Sequence, residues 1–263
     1  MLLPRLIPTL LVDSNLNLVK TKAFNERNYI GEPLNSAYIF SGFEADELIV
    51  LDIDASRLGR TISSKFVKAL ATFTSVPLCV GGGIYNLNQI KNLLALGVER
   101  IALSASLNSN FKLLEEASNR FGSSSITVII NCFKDEKGSY LGSFGLPRKN
   151  LSKKIDQMCI DCQNAGAGEL VINNINLEGS KQGYDVSLMK SLNLKLSIPL
   201  IALGGCGQLK HIEDLLSAAP ISGVACGSFL IYAPKKSQVL LSYPDKSTWL
   251  KANLTSFNKR WDK

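Results

Sequence analysis

The same glycine signature occurs twice in this chain, 122 residues apart, each time where an apolar run ends. Val76-Pro77-Leu78-Cys79-Val80 runs into Gly81-Gly82-Gly83, and Ile198-Pro199-Leu200-Ile201-Ala202-Leu203 runs into Gly204-Gly205-Cys206-Gly207. The offset recurs: Glu47-Leu48-Ile49-Val50 matches Glu169-Leu170-Val171-Ile172, and Ser106 matches Ser228. One offset shared by separate segments marks a duplicated half. Each half alternates short buried strands with helical segments, which is the pattern of a parallel sheet. Two such halves in 263 residues predict an α/β protein: one closed (β/α)8 TIM barrel, a single domain with half-barrels over roughly 1–124 and 125–263.

Charge narrows what such a barrel binds. The formal net charge is +7, which suits an acidic ligand such as a phosphorylated sugar. The lysines after Lys235 form no dense run, so nucleic acid is not expected. No segment reaches the roughly 18–20 apolar residues of a membrane span. The apolar start, 1–12, is broken by Pro4, Arg5 and Pro8 and reads as a first strand, not a leader. Six dispersed cysteines point to a reduced, cytoplasmic protein. Cys159 and Cys162 form a C-x-x-C pair, read as packing on one helix face. His211 is the only histidine, so neither a metal site nor a cofactor is expected.

Strands are predicted near 5–12, 47–53, 76–80, 100–104, 126–132, 169–174, 199–203 and 222–226. Helices are predicted over 34–43, 87–96, 110–121, 151–165 and 186–192. Two βα connections, 13–32 and 133–150, are too long for simple turns and occupy corresponding places in the halves. Loops after barrel strands lie on the C-terminal face, so these are candidate lids.

The glycine turns have a physical task. Glycine lets the backbone approach an anion closely, with N–H groups at a following helix start pointing at it. Each cradle combines a glycine turn with the end of the next strand. The first is Gly82, Gly83, Ser104 and Ala105. The second is Gly204, Gly205, Gly227 and Ser228, joined by Gly179. Two cradles imply a long ligand with a phosphate at each end; the alternative is that the glycines only shape barrel corners.

These residues resemble, along the whole chain, the cyclase subunit of imidazole glycerol phosphate synthase. The resemblance rests on Arg5-Leu6-Ile7-Pro8, Leu18-Val19-Lys20, Asp46-Glu47-Leu48, Leu51-Asp52-Ile53, Gly81-Gly82-Gly83-Ile84, Gly166-Ala167-Gly168-Glu169 and Gly183-Tyr184-Asp185. It implies a barrel that takes ammonia from a glutaminase on its N-terminal face, forming a heterodimer. The ammonia then closes an imidazole ring on a bis-phosphorylated substrate. That chemistry uses two aspartates as general acid and base. Here their positions hold Leu11 and Asn131, so no catalytic residue is assigned and cyclisation is not expected. Asp13 lies two positions on, in a loop, and is not expected to substitute.

The resemblance also implies an ammonia gate of Arg5, Glu47, Arg100 and Glu169, with Arg100 in place of the family's lysine. Without it, these four read as a salt-bridge layer at the barrel bottom. Glu99 falls where the family couples to the glutaminase, Lys20 matches the loop lysine that holds substrate, and Asp52 matches a strand-end carboxylate facing the site. Pro8–Leu11, Leu18–Thr21, Tyr29–Pro33 and Leu51–Ser56 with Gly59-Arg60 further resemble a paralogue found with surface-polysaccharide (lipopolysaccharide) genes. That paralogue works with a glutaminase and an ATP-dependent amidotransferase that turns an N-acetyl sugar into an acetamidino sugar. Asn131 departs from the paralogue as well, and Asn173, Asn174 and Asn176 stand where the family has Thr, Ser and Asp. The alternatives are a true cyclase of histidine biosynthesis and a non-catalytic scaffold for a phosphorylated sugar.

Overall fold

The computed structural model describes residues 3–109, 111–146, 152–233 and 238–261. Eight parallel strands close on themselves. β1 (Arg5–Val12) pairs on one side with β4 (Leu48–Asp52), followed by β5 (Leu78–Gly81), β6 (Arg100–Leu103) and β7 (Ile126–Lys134). β7 pairs with β10 (Glu169–Asn174), then come β11 (Leu200–Leu203) and β12 (Gly223–Cys226), which returns to β1. The (β/α)8 barrel and its eight strands are as the sequence predicts, with ends shifted by a residue or two.

Alternation along these strands separates two cores. One face packs beneath the helices, through residues such as Leu6, Leu10, Val50 and Val80. The other fills the barrel with one residue per strand: Ile7, Ile49, Cys79, Ala102, Ile129, Val171, Ile201 and Ala225. The helices are α1 (Pro33–Gly42), α2 (Ser64–Phe73), α3 (Leu87–Leu94), α4 (Lys112–Phe121), α5 (Ile155–Asn164), α6 (Val186–Asn193), α7 (Leu209–Ala218) and the short α8 (Ser228–Ile231). Their starts follow local chemistry. Asn86 and Gln89 form a reciprocal capping box at α3, and Glu32 caps the Asn35 amide ahead of Pro33. The starts predicted at 110 and 151 fall on residues outside the described set.

The two long connections are hairpins rather than loops. β2 (Leu18–Thr21) runs antiparallel to β1 and to β3 (Arg27–Gly31). β8 (Tyr140–Ser143) runs antiparallel to β7, and β9 (Lys153–Lys154) adds to it. The second turn is built by Asp135, whose Oδ1 accepts from the amides of Lys137 and Ser139, with Gly138 in the left-handed region. Residues 147–150 of this segment lie outside the described set. A further helix, α9 (Lys246–Trp261), covers α7 with buried Trp249 and Ala252. Among the described residues no helix is long and apolar enough to cross a membrane.

Candidate functional site

The C-terminal ends of the barrel strands enclose a cavity of about 610 Å³. Lys20, Asp52, Gly82, Gly83, Ser104, Ala105, Gly179, Gly204, Gly205, Gly227 and Ser228 all line it, as do Leu11 and Asn131. Its floor reaches Ala102, Ile129 and Ala225 of the apolar layer inside the barrel.

The glycine turns are sterically obligatory. Gly83 has φ +60°, and a Cβ there would lie 1.8 Å from the Arg60 carbonyl oxygen. Gly205 has φ +103°, and a Cβ would lie 1.9 Å from the Gly183 oxygen. The first turn is pinned from behind by the connection after β4. Asp52 accepts from the Asp54 and Ala55 amides and from Arg60 Nη1 at 2.5 Å. Asp52 therefore shapes the wall as a paired carboxylate. The second turn is braced by His211, whose Nδ1 accepts from the Gly207 amide at 3.1 Å. Burial lowers the His211 pKa, in keeping with a neutral ring.

Lys20 is buried beside the second turn. Its Nζ donates to the Thr9 carbonyl at 3.2 Å and fills the space a Cβ on Gly227 would need, 1.9 Å away. Ser104 is committed elsewhere. Its hydroxyl donates to the Ile129 carbonyl and accepts from the Gly145 amide, both at 2.8 Å, tying the β8 hairpin to β6.

Asn131 is held by its amide. Nδ2 donates to the Gly145 carbonyl at 2.6 Å, and Oδ1 accepts from Asn173 Nδ2 at 2.9 Å. Asn173 Oδ1 and the Thr9 hydroxyl also face the cavity, buried and without a partner. Leu11 adds only apolar surface. Asp13 is occupied in its own turn, accepting from Asn15 and Asn17.

One feature escaped the sequence reading. Asp54, almost fully buried, accepts from Arg27 Nη1 and Nη2 at 2.7 and 2.8 Å, from Arg57 at 3.1 Å and from the Ser14 amide at 3.0 Å. The Arg27 hydrogen bonds hold its carboxyl far below the usual carboxylate range, against the opposing effect of burial. This latch fixes the hairpin that carries Lys20. Its signal was the second aspartate of Leu51-Asp52-Ile53-Asp54, and the arginine partners are not legible from spacing.

At the opposite, N-terminal mouth the four expected charges meet. Arg5 bonds both Glu47 and Glu169, and Arg100 Nη1 bonds Glu47 at 2.7 Å. Thr127 Oγ1 donates to Glu169 at 3.2 Å. Burial pushes the Glu47 carboxyl upward against the pull of Arg100 and Arg5. Burial works to lower Arg100, but Glu47 and Glu169 outweigh it. Glu99 lies exposed on this face, with Oε2 accepting from the Leu78 amide at 2.6 Å. All six cysteines are free and buried, and no group of metal-ligating side chains occurs among the described residues.

Comparison with known proteins agrees with this geometry. The family model described as "Histidine biosynthesis protein" matches residues 5–235. A Leptospira borgpetersenii protein named "Putative imidazole glycerol phosphate synthase subunit HisF" is 38% identical, over 93% of this chain and 96% of its own. A Vibrio vulnificus protein, "Putative imidazole glycerol phosphate synthase subunit hisF3", is 37% identical over 96% and 97%. An imidazole glycerol phosphate synthase subunit HisF of Clostridium botulinum is 30% identical over 94% and 97%. The chain belongs to the histidine biosynthesis protein family, as a HisF-like homologue of the imidazole glycerol phosphate synthase cyclase subunit.

Proposed function

We propose that this chain is the ammonia-conducting barrel of a glutamine-dependent amidotransferase assembly. Ammonia released by a glutaminase on the N-terminal face enters through the ring of Arg5, Glu47, Arg100 and Glu169. It crosses the apolar layer and reaches the C-terminal cavity. From there it passes to an ATP-dependent enzyme that converts an N-acetyl sugar into an acetamidino sugar.

The observation that carries this reading is a contrast between the two ends. The charged ring at the lower mouth is complete, whereas the upper cavity holds Leu11 and the amide-locked Asn131 where cyclisation needs carboxylates. A layer of eight apolar residues lies between them. Neutral ammonia crosses such a layer at far lower cost than ammonium, whose charge would be desolvated. Exposed apolar side chains also lie at strand starts and helix ends toward the lower face: Leu3 before β1, Phe43 after α1, Phe73 ending α2 and Leu194 after α6. They suit a protein partner there. Asp52 and the two glycine turns give the upper cavity its walls, and Lys20 lines it beside the second turn.

The test is cyclase turnover of the purified chain on the bis-phosphorylated histidine intermediate with ammonium in excess, which removes any need for a glutaminase. Background turnover with intact folding is expected. Turnover at the rate of a functional cyclase would overturn the proposal in favour of histidine biosynthesis. Ligand binding without stimulation of any co-purifying glutaminase would leave a phosphate-sugar scaffold.

A further inference from the structure

The carboxylates and the lysine that line the cavity fall into two kinds. Asp52 and Asp54 are each held by arginine side chains and backbone amides. Lys20 and Glu178 are held differently. A lysine ammonium has three hydrogens to donate. Buried Lys20 has one hydrogen-bond acceptor, the Thr9 carbonyl, and no carboxylate forms an ion pair with it among the described residues. Burial lowers its pKa from the ordinary 10.5 to about 8, against the opposing pull of Glu178 and Cys226. Glu178 moves the other way. Burial raises its carboxyl, while Lys20 and the amides of Phe24 and Ala23 hold it down. An amine drawn down and a carboxyl drawn up, both lining one cavity, make an acid–base pair.

The surroundings of Lys20 make its amine easier to deprotonate than that of a solvated lysine. Its side chain is buried, is carried by the latched hairpin, and lines the same cavity as the first glycine cradle. We propose that Lys20 is a nucleophilic amine and that this cavity takes a phosphorylated aldehyde or ketone as an imine on its Nζ. The Nζ lone pair attacks the carbonyl carbon, forming an N–C bond while the carbonyl electrons move to oxygen. The proton lost by nitrogen goes through Glu178 to that oxygen, giving a carbinolamine. The nitrogen lone pair then forms C=N as the C–O bond breaks, and the oxygen leaves as water with a proton from Glu178. Nothing is oxidised or reduced, and water reverses the step. A phosphate beside Gly227 would pair with Lys20 and keep it protonated. The ligand's phosphate therefore belongs in the first cradle, at Gly82 and Gly83, with its carbonyl end reaching across to Lys20.

Pyridoxal 5′-phosphate, an aldehyde with a phosphate, is the probe. The full chain is incubated with it at pH 8, reduced with borohydride and mapped by peptide mass. A phosphopyridoxyl group at Lys20 is expected, forming at least about tenfold faster than at exposed Lys65 and Lys68, because more of the amine is neutral at this pH. Pyridoxal without the phosphate is expected to label Lys20 about tenfold more slowly. Lys20→Arg keeps the cation but forms no adduct. Glu178→Gln is expected to slow labelling at Lys20 about a hundredfold, the lower end of the range for a proton carrier. Labelling confined to exposed lysines would overturn the proposal, with or without the variants. Equal rates for pyridoxal and its phosphate would overturn the role of the cradle, and an unchanged rate in Glu178→Gln the role of Glu178. The chain is assayed without glutaminase or ammonia, so this result is separable from the ammonia-conducting reading.

Discussion

Asn131 shows at the scale of one residue how the cavity wall is built around an amide rather than a carboxylate. Its Nδ2 donates to the Gly145 carbonyl at 2.6 Å. In Asn131→Asp that donor becomes a carboxylate oxygen facing a carbonyl oxygen, two acceptors in contact in a partly buried place. The variant is expected to lose about 1–3 kcal/mol of stability above the carboxyl's pKa and to recover much of it in acid, where a protonated acid can donate again. Denaturant unfolding at pH 5 and 8 measures this, and a variant as stable as the parent at both would refute the account. The same logic applies to Asp54, which receives four hydrogen bonds from two arginines and one amide. Asp54→Asn keeps the shape but removes the charge. Faster amide hydrogen exchange in the 13–31 hairpin is expected, with the barrel strands unchanged; equal protection would show that the hairpin is held by its strand pairing alone.

At the scale of elements, the glycine turns are where the sequence spoke most clearly. Gly205→Ala would put a methyl group 1.9 Å from the Gly183 carbonyl oxygen at φ +103°. A loss of roughly 2–4 kcal/mol is expected in equilibrium unfolding, since backbone rather than a flexible side chain must move. Less than about 1 kcal/mol would mean that the turn relaxes freely. These turns were legible because close backbone approach leaves glycine as the fitting residue. The buried strands were legible because short apolar runs ended at those turns. The hairpins were not. Lys20, Arg27 and Lys134 give their strands polar faces, so no apolar alternation marks them, and their pairing to β1 and β7 is a long-range fact. Helix α9 was hidden for a related reason: its scattered lysines give no apolar pattern to read, while the buried face of Trp249 and Ala252 is defined only by α7. In the cavity, the lining glycines and Lys20 could be named from sequence. The Asp54 latch and the Asn131–Asn173 pair needed the fold to bring strands together.

At the scale of the whole molecule, the charged ring at the N-terminal mouth joins the two halves of the barrel. Arg5 and Glu47 belong to the first half and Glu169 to the second, so the Arg5 guanidinium bridges the repeat. In Arg5→Ala, Glu169 loses its guanidinium partner and Glu47 keeps only Arg100. Burial already raises the Glu47 pKa in the parent, and Arg5 is one of the two charges that oppose it. Its removal pushes that carboxyl further up. A carboxyl with a raised pKa in the folded state binds its proton more tightly folded than unfolded. Stability is therefore lost as pH rises from the unfolded carboxylate pKa toward the folded value. Arg5→Ala is thus expected to be destabilised by about 3 kcal/mol at pH 8 and by clearly less near pH 4, where protonation relieves the uncompensated charge. Adding Glu47→Gln should remove most of that pH dependence. A penalty independent of pH, unaffected by the second substitution, would mean that Arg5 acts through packing and that the ring does not hold the halves together by charge.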